Sequence, residues 1–363
     1  MKILHAAETI KGGVATVLKQ LVLEQERNAE RYDVRVLIPD EQIDEVEVLD
    51  SNNIVQWPRN GRSIKSLISF AKNFICLVLR FRPDIVHLHS SFAGVICRFC
   101  LMLLFPLFRT KVIYCPHAFS FMMETSKYKK VVYVFIEKLF MKITNVVICV
   151  SKYEYDEGVS YGLNKEKLKI VHNGVSIKDI SAIDKKKDKD NKKIHVLFVG
   201  RFDYQKGYDI LIEAARKLSP DAFTFTIIGG SVHNSGNVDR LVNATYTGWL
   251  SSDDMDKYFR CADIVVVPSR WEGFAMVPLE AMSYALPIIA SNSTSLPEVV
   301  LDKKTGFLFE CGNVSSLLKI LSGLNEYNLI DMGIMGNNYF RDNFTSENMI
   351  KKTHEIYDKV IFK

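Results

Sequence analysis

Trp271-Glu272-Gly273-Phe274-Ala275-Met276-Val277-Pro278-Leu279-Glu280-Ala281-Met282 follows, two residues on, the apolar run Ile264-Val265-Val266-Val267-Pro268. The order reads as a buried strand, a short glycine-containing loop, and a helix with a carboxylate one turn in. In an α/β protein that arrangement sets a ligand at the strand's carboxyl end. There the first turn of the helix offers unpaired N–H groups and partial positive charge to a phosphate. Glu272 and Glu280 flank the place. Two carboxylates around an anion site are unfavourable unless they bind something else, and the hydroxyls of a ribose and of a sugar are suitable partners. The combination points to a sugar nucleotide.

Working outward, the same strand-then-helix alternation fills the chain. Lys2–Ala6, Asp33–Ile38, Asp84–His89, Lys111–Cys115 and Asn145–Val150 are apolar runs of strand length in the N-terminal half. Amphipathic segments at Val14–Glu30, Ser63–Phe81, Phe92–Phe108 and Lys130–Lys142 separate them. Alternation of this kind predicts parallel sheets with helices on both faces. The passage Asp184–Lys193 holds no apolar residue, cannot bury anything, and is the linker candidate. Strands resume at Ile194–Val199, Phe223–Ile228, Ile264–Val267, Ile288–Ala290 and Gly306–Phe309. At 363 residues the chain exceeds the size at which one core keeps growing. The expected architecture is two Rossmann-like doubly wound domains facing across a cleft. Their bounds are 1–175, a linker over 176–193, 194–345, and a terminal helix in 346–363 that crosses back to the N-terminal domain.

A hydrophobic content of 48% with 25% charged residues excludes general disorder. The net charge of +5 matters less than its layout. Six basic and no acidic residues lie between Arg59 and Arg82, and no carboxylate occurs from Ile85 to Met123. Such stretches, interleaved with aliphatic and aromatic residues, point toward an anionic membrane surface. No nucleic-acid motif accompanies the charge, so nucleic acid is not expected as a partner. The N-terminus lacks a secretory pattern, and the most apolar segment is interrupted by Arg98 and Pro106. A cytoplasmic location, peripheral on the inner face of the membrane, is expected. Seven cysteines fit a reducing compartment, and the lone Cys97/Cys100 pair reads as buried thiols rather than a metal site.

The first strand of the second half ends in Gly200-Arg201-Phe202-Asp203-Tyr204-Gln205-Lys206-Gly207. Two cations in one strand-to-helix loop can clamp a diphosphate, Arg201 as a planar fork and Lys206 as a point charge. Gly12-Gly13, after the first strand, permits close approach of backbone to a ligand phosphate or acceptor. His117 follows the strand Lys111–Cys115 and should project at a carboxyl edge. A lone histidine is as often structural, and His5, His87 and His89 show how many this chain has.

Gly200-Arg201-Phe202 through Lys206-Gly207, with Glu272-Gly273-Phe274 and Glu280-Ala281-Met282, resemble the signature of family-4 retaining glycosyltransferases of the GT-B fold. Gly12-Gly13, Ser151 and Asn173-Gly174-Val175 resemble that family's N-terminal landmarks. The resemblance implies that Arg201 and Lys206 neutralise the nucleotide diphosphate. It implies that Glu280 holds the ribose hydroxyls and Glu272 a hydroxyl of the donor sugar. Backbone N–H groups of Ala275, Met276 and Val277 would meet the distal phosphate, and His117 would contact the donor sugar near the reacting carbon. It implies transfer of a hexose from a UDP- or GDP-linked donor to a glycan acceptor, expected to be lipid-linked, in O-antigen or capsule synthesis. No metal and no further cofactor is implied, and no protein nucleophile is named. The chain departs from the pattern at Ala275 and Ala285, where relatives often carry glycine, and over Asn292–Glu298, which lacks twin glycines.

Two rival readings accompany this one. A nucleotide-sugar epimerase or a phosphorylase of the same architecture would act without a glycan acceptor or with free phosphate. A non-catalytic nucleotide-sugar binder would be expected to have lost some of Arg201, Lys206, Glu272 and Glu280.

Overall fold

The computed structural model describes residues 1–61, 63–104, 110–180, 193–231 and 240–362, without the side chains of 252 and 253. The chain divides into two compact units, Met1–Asn173 with the segment from Ser346 onward, and Gly174–Thr345. Most of the polar passage read as the linker falls at 181–192, outside the described residues, as do residues 105–108 of the predicted helix Phe92–Phe108. Gly174 and Val175 group with the second unit, where Val175 bridges to Thr345.

The first unit holds seven parallel strands: β1 (Lys2–Ala7), β2 (Asp33–Pro39), β3 (Ile54–Trp57), β4 (Ile85–His89), β5 (Lys111–Cys115), β6 (Val146–Cys149) and β7 (Leu168–Ile170). Their order is β3-β2-β1-β4-β5-β6-β7. Every residue of β4 is buried, its two histidines included. The helices between them are α1 (Gly13–Arg27), α2 (Ile64–Phe81), α3 (Ser91–Leu104), α4 (Lys127–Phe140) and α5 (Lys152–Ser160). Ser63, Ser126 and Ser151 start α2, α4 and α5, each side chain accepting from a backbone N–H of the first turn.

Period-2 geometry sorts the strand side chains onto two faces. On one, Leu4, Val86, Leu88 and Tyr114 share a core with Phe70 and Phe74 of α2 and Cys97, Cys100 and Leu101 of α3. Both cysteines are free thiols there. On the other, Leu18 and Val22 of α1 pack on Val34 and Val36. His5, paired in register with His87, lies on this second face, as does His89.

The second unit has six parallel strands: β8 (Ile194–Val199), β9 (Phe223–Ile228), β10 (Ala244–Gly248), β11 (Ile264–Val267), β12 (Ile288–Ser291) and β13 (Gly306–Phe309). Their order is β10-β9-β8-β11-β12-β13. Its helices are α6 (Tyr208–Ala215), α7 (Ser252–Cys261), α8 (Met276–Ser283), α9 (Leu296–Val299), α10 (Val314–Ser322) and α11 (Leu329–Asn343). The closing helix α12 (Ser346–Ile361) belongs to the first unit. There the Tyr357 hydroxyl meets His87 Nδ1 at 2.6 Å, and Arg31 grips both carboxylate oxygens of Asp358 at 2.6 and 2.7 Å.

Candidate functional site

In the second sheet the strand order reverses direction between β8 and β11, which are neighbours. Loops from two adjacent strands therefore leave one edge in opposite senses, the position at which open α/β sheets bind ligands. The loop after β8 leads into α6 through Gly207 at φ 66°. A Cβ there would lie 2.0 Å from the Pro268 carbonyl oxygen, so only glycine lets the start of α6 close on the end of β11.

The two loops are joined by side chains. Lys206 Nζ donates to Glu272 Oε1 at 2.6 Å, with Glu272 only 8% exposed. Gln205 Nε2 donates to the Trp271 carbonyl at 3.1 Å, and the Arg270 N–H donates to the Gln205 carbonyl at 2.7 Å. Arg201 lies 3.1 Å from Asp203 and donates to Gln205 Oε1 at 2.7 Å. The Glu272 N–H donates to Thr294 Oγ1 at 2.9 Å, and Thr294 stands at φ 48°. Lys206 and Arg201, expected as an open clamp for a diphosphate, are thus each engaged by a neighbouring side chain in this structure.

Glu280, one turn into α8, is half-buried. Its carboxylate makes no hydrogen bond or ion pair with the described residues. Burial pushes its pKa up, while Lys178 and Lys206 pull it back. Ala275 caps α8 with no side-chain bond, and Pro278 has no N–H to offer. The first-turn N–H groups of Met276 and Val277 consequently have no acceptor within the helix and point out of its positive end. Ala275 sits at φ −69°, a conformation open to any residue, so the glycine common in relatives is not needed there. Ala285 differs, with φ 54°.

The remaining predicted residues lie in the first unit. Gly12 caps α1 at φ 64° and Gly13 is its first residue. His117, after β5, takes φ 52°, followed by Ala118 at φ 99°. Glu154 holds that loop, accepting from the Ala118 N–H at 2.9 Å and the Val150 N–H at 2.7 Å, and burial pushes its pKa up to about 7.

His117 is the outer end of an array that sequence reading took for unrelated histidines. Its Nε2 lies 3.2 Å from His89 Nδ1, His89 Nε2 lies 3.1 Å from His5 Nδ1, and His5 Nε2 lies 2.9 Å from Gln25 Oε1. An amide oxygen only accepts, so His5 carries its proton on Nε2 and accepts on Nδ1. The same logic then puts the proton of His89 and of His117 on Nε2, leaving His117 Nδ1 as an unprotonated acceptor. Burial keeps the rings neutral, lowering His5 and His117 to about 4 and His87 and His89 well below the usual value. His5, His87 and His89 each bring a ring nitrogen within 4.8 Å of the others. Both nitrogens of His5 and His89 are already engaged, so a metal would have to break these bonds. The signal available in the sequence was histidine at alternate positions 87 and 89 of one strand, on one face with His5 of its neighbour.

Two doubly wound parallel-sheet units, the second with two charged loops meeting at its switch point, form the two-domain GT-B fold. Residues 11–179 match the family described as Glycosyltransferase Family 4, and residues 179–326 match Glycosyl transferases group 1. A relative from Klebsiella pneumoniae, an uncharacterized 41.2 kDa protein in the cps region, is 40% identical over 88% of this chain and 89% of its own. A UDP-Gal:alpha-D-GlcNAc-diphosphoundecaprenol alpha-1,3-galactosyltransferase from Escherichia coli is 27% identical over 83% of this chain and 80% of its own. Among solved structures, Anabaena Alr3699/HepE in complex with UDP matches 99% of this chain and 100% of its own, with a TM-score of 0.77 at 17% identity. The chain belongs to glycosyltransferase family 4.

Proposed function

We propose that this glycosyltransferase moves a sugar from a UDP-linked donor to a lipid-linked glycan acceptor in bacterial surface-polysaccharide synthesis, with retention of anomeric configuration. The observation that carries the proposal is the placement of Lys206 against Glu272, with Glu280 unpartnered beside the uncapped start of α8. A diphosphate at that helix terminus gives Lys206 a second anion and draws Arg201 from Gln205. The negative charge that builds on the departing nucleotide is met by these cations and by the N–H groups of Ala275, Met276 and Val277. This is the work a divalent cation does in other transferases. Glu280, already desolvated, accepts from the two ribose hydroxyls, and Glu272 accepts from a hydroxyl of the donor sugar. His117 presents Nδ1 as an acceptor for another sugar hydroxyl. Gly12 and Gly13 leave backbone N–H groups open to a phosphate or to the acceptor. No protein nucleophile is assigned to the retaining step.

The relatives support the biological setting: one lies in a cps region, one is named for an undecaprenyl-diphosphate acceptor, and one solved neighbour holds UDP. The test is a thermal-shift panel of nucleotides and nucleotide sugars, followed by transfer from the stabilising donor to an undecaprenyl-diphosphate-linked sugar. Product with retained configuration supports the proposal. Donor isomerised without acceptor would make the enzyme an epimerase, and turnover dependent on inorganic phosphate would make it a phosphorylase.

A further inference from the structure

α2, α3 and α4 pack side by side over one face of the first sheet, sharing the core beneath them. α4 shows its apolar stripe to the outside. Tyr128 is 79% exposed, and Val131 and Phe135 are 66% exposed each. Spaced at i, i+3 and i+7, they form one face of the helix, continued by Leu139. Its buried side holds Glu137, the only carboxylate of α4, which accepts from Arg98 at 2.8 Å and from Tyr114 at 3.1 Å. Lys127, Lys129 and Lys138 stand roughly 65–115° around the helix from the centre of the stripe and are exposed, so each stem can lie along it with the ammonium reaching past.

The neighbouring helices repeat the pattern. On α2, Ile64 and Ile68 are exposed, its ionic residues Lys65, Lys72 and Arg80 are all cationic, and α3 exposes Phe99 and Leu103. The only charged residue of α3, Arg98, is fully buried. Exposed apolar side chains are therefore accompanied by cations on α2 and α4, and none of the three helices exposes a carboxylate. No described helix is long and apolar enough to cross a membrane.

We propose that the α2–α3–α4 face docks in the plane of an anionic lipid surface, with Phe135 and its stripe entering the headgroup boundary and the flanking lysines contacting lipid phosphates. Sequence reading placed membrane contact on the α2 and α3 segments; the exposed stripe makes α4 the principal element. A second copy of the chain is a poorer occupant. A twofold contact through this face would set like-charged lysines against one another with no carboxylate to pair them. The proposal is independent of the donor assignment, because it concerns a surface that needs no nucleotide.

The full chain is to be floated with vesicles of phosphatidylglycerol and phosphatidylethanolamine, and with vesicles of phosphatidylcholine, at low and high salt, without nucleotide. Binding to the anionic vesicles that weakens with salt is expected, with little binding to phosphatidylcholine. Replacing Lys127, Lys129 and Lys138 together by glutamate should weaken binding by at least roughly a hundredfold. Phe135→Ser should weaken it at any salt concentration. Both variants alter exposed side chains and should keep the parental melting temperature and nucleotide-induced shift, which separates lost docking from lost folding. Absence of binding to anionic vesicles at low salt, or parental binding by the triple variant, overturns the proposal. So does a dimer in sedimentation that Phe135→Ser dissociates, since the face would then be an interface between copies.

Discussion

Lys206 and Glu272 are 66 positions apart in sequence and 2.6 Å apart in space, one on each of the loops that meet at the second sheet's switch point. Lys206→Ala leaves a nearly buried carboxylate without its cation, a loss of about 1–3 kcal/mol once partial solvent access is allowed for. Lys206→Met with Glu272→Gln removes both charges and should recover most of that stability. Neither variant should retain more than about a hundredth of the parental transfer rate, because the diphosphate has lost its cation. Chemical denaturation and a transfer assay on the same preparations separate the two effects; parental turnover by Lys206→Met would remove Lys206 from the chemistry.

Glu280 behaves differently because burial outweighs the pull of Lys178 and Lys206 on its charge. Its folded-state pKa is raised, so its ionisation works against folding: the group favours the folded state below its unfolded pKa, and that contribution is lost as pH rises. Glu280→Gln should therefore keep or increase the melting temperature at neutral pH while weakening nucleotide binding at least tenfold. A variant that is both less stable and unchanged in affinity would contradict the assignment. Calorimetry with the preferred nucleotide reads both quantities.

The histidine array makes acid stability a property of the first unit. His5 and His117 titrate near 4 when folded, against 6.5 as their ordinary value. The unfolded chain thus binds more protons between these pH values, and stability that is complete above about 6.5 is lost as pH falls toward 4. Glu154, raised to about 7, pulls in the opposite direction above its ordinary 4.5, as one group against four rings. Melting temperature should fall steadily from pH 6.5 to 4, and His5→Gln should flatten part of the slope. Nitrogen-15 shifts should also find His117 protonated on Nε2; a proton on Nδ1 would break the chain of donors that starts at Gln25.

Ala285 stands at φ 54° and is only half-buried, so its methyl gains little from packing. A left-handed conformation costs a residue with a Cβ about 1–2 kcal/mol, and glycine gives back part of the gain through its freer unfolded chain. Ala285→Gly should raise stability by about 0.5–1 kcal/mol without altering transfer. Denaturant midpoints of the two proteins decide it.

The sequence was most readable where a strand is buried on both sides. β11, β12 and β13 announce themselves as short apolar runs, and the carboxyl end of β11 located the charged loops. It was least readable at β3, β7 and β10, which are short or only partly buried and carry too little apolar contrast. Which charges pair could not be read at all. Lys206 finding Glu272 depends on two loops that touch only because Gly207 lets α6 approach β11. The histidine array was equally hidden, since it needs the register of β1 against β4 and the side chain of Gln25 from another helix.

The placement of α12 has a consequence for biosynthesis. Its Tyr357 covers His87 of β4, and its Asp358 clamps Arg31 in the turn before β2, both made early in translation. The ribosome therefore completes the entire second unit before it delivers the piece that seals the first. A fragment stopped before Ser346 would expose on the earlier half the surface that α12 covers.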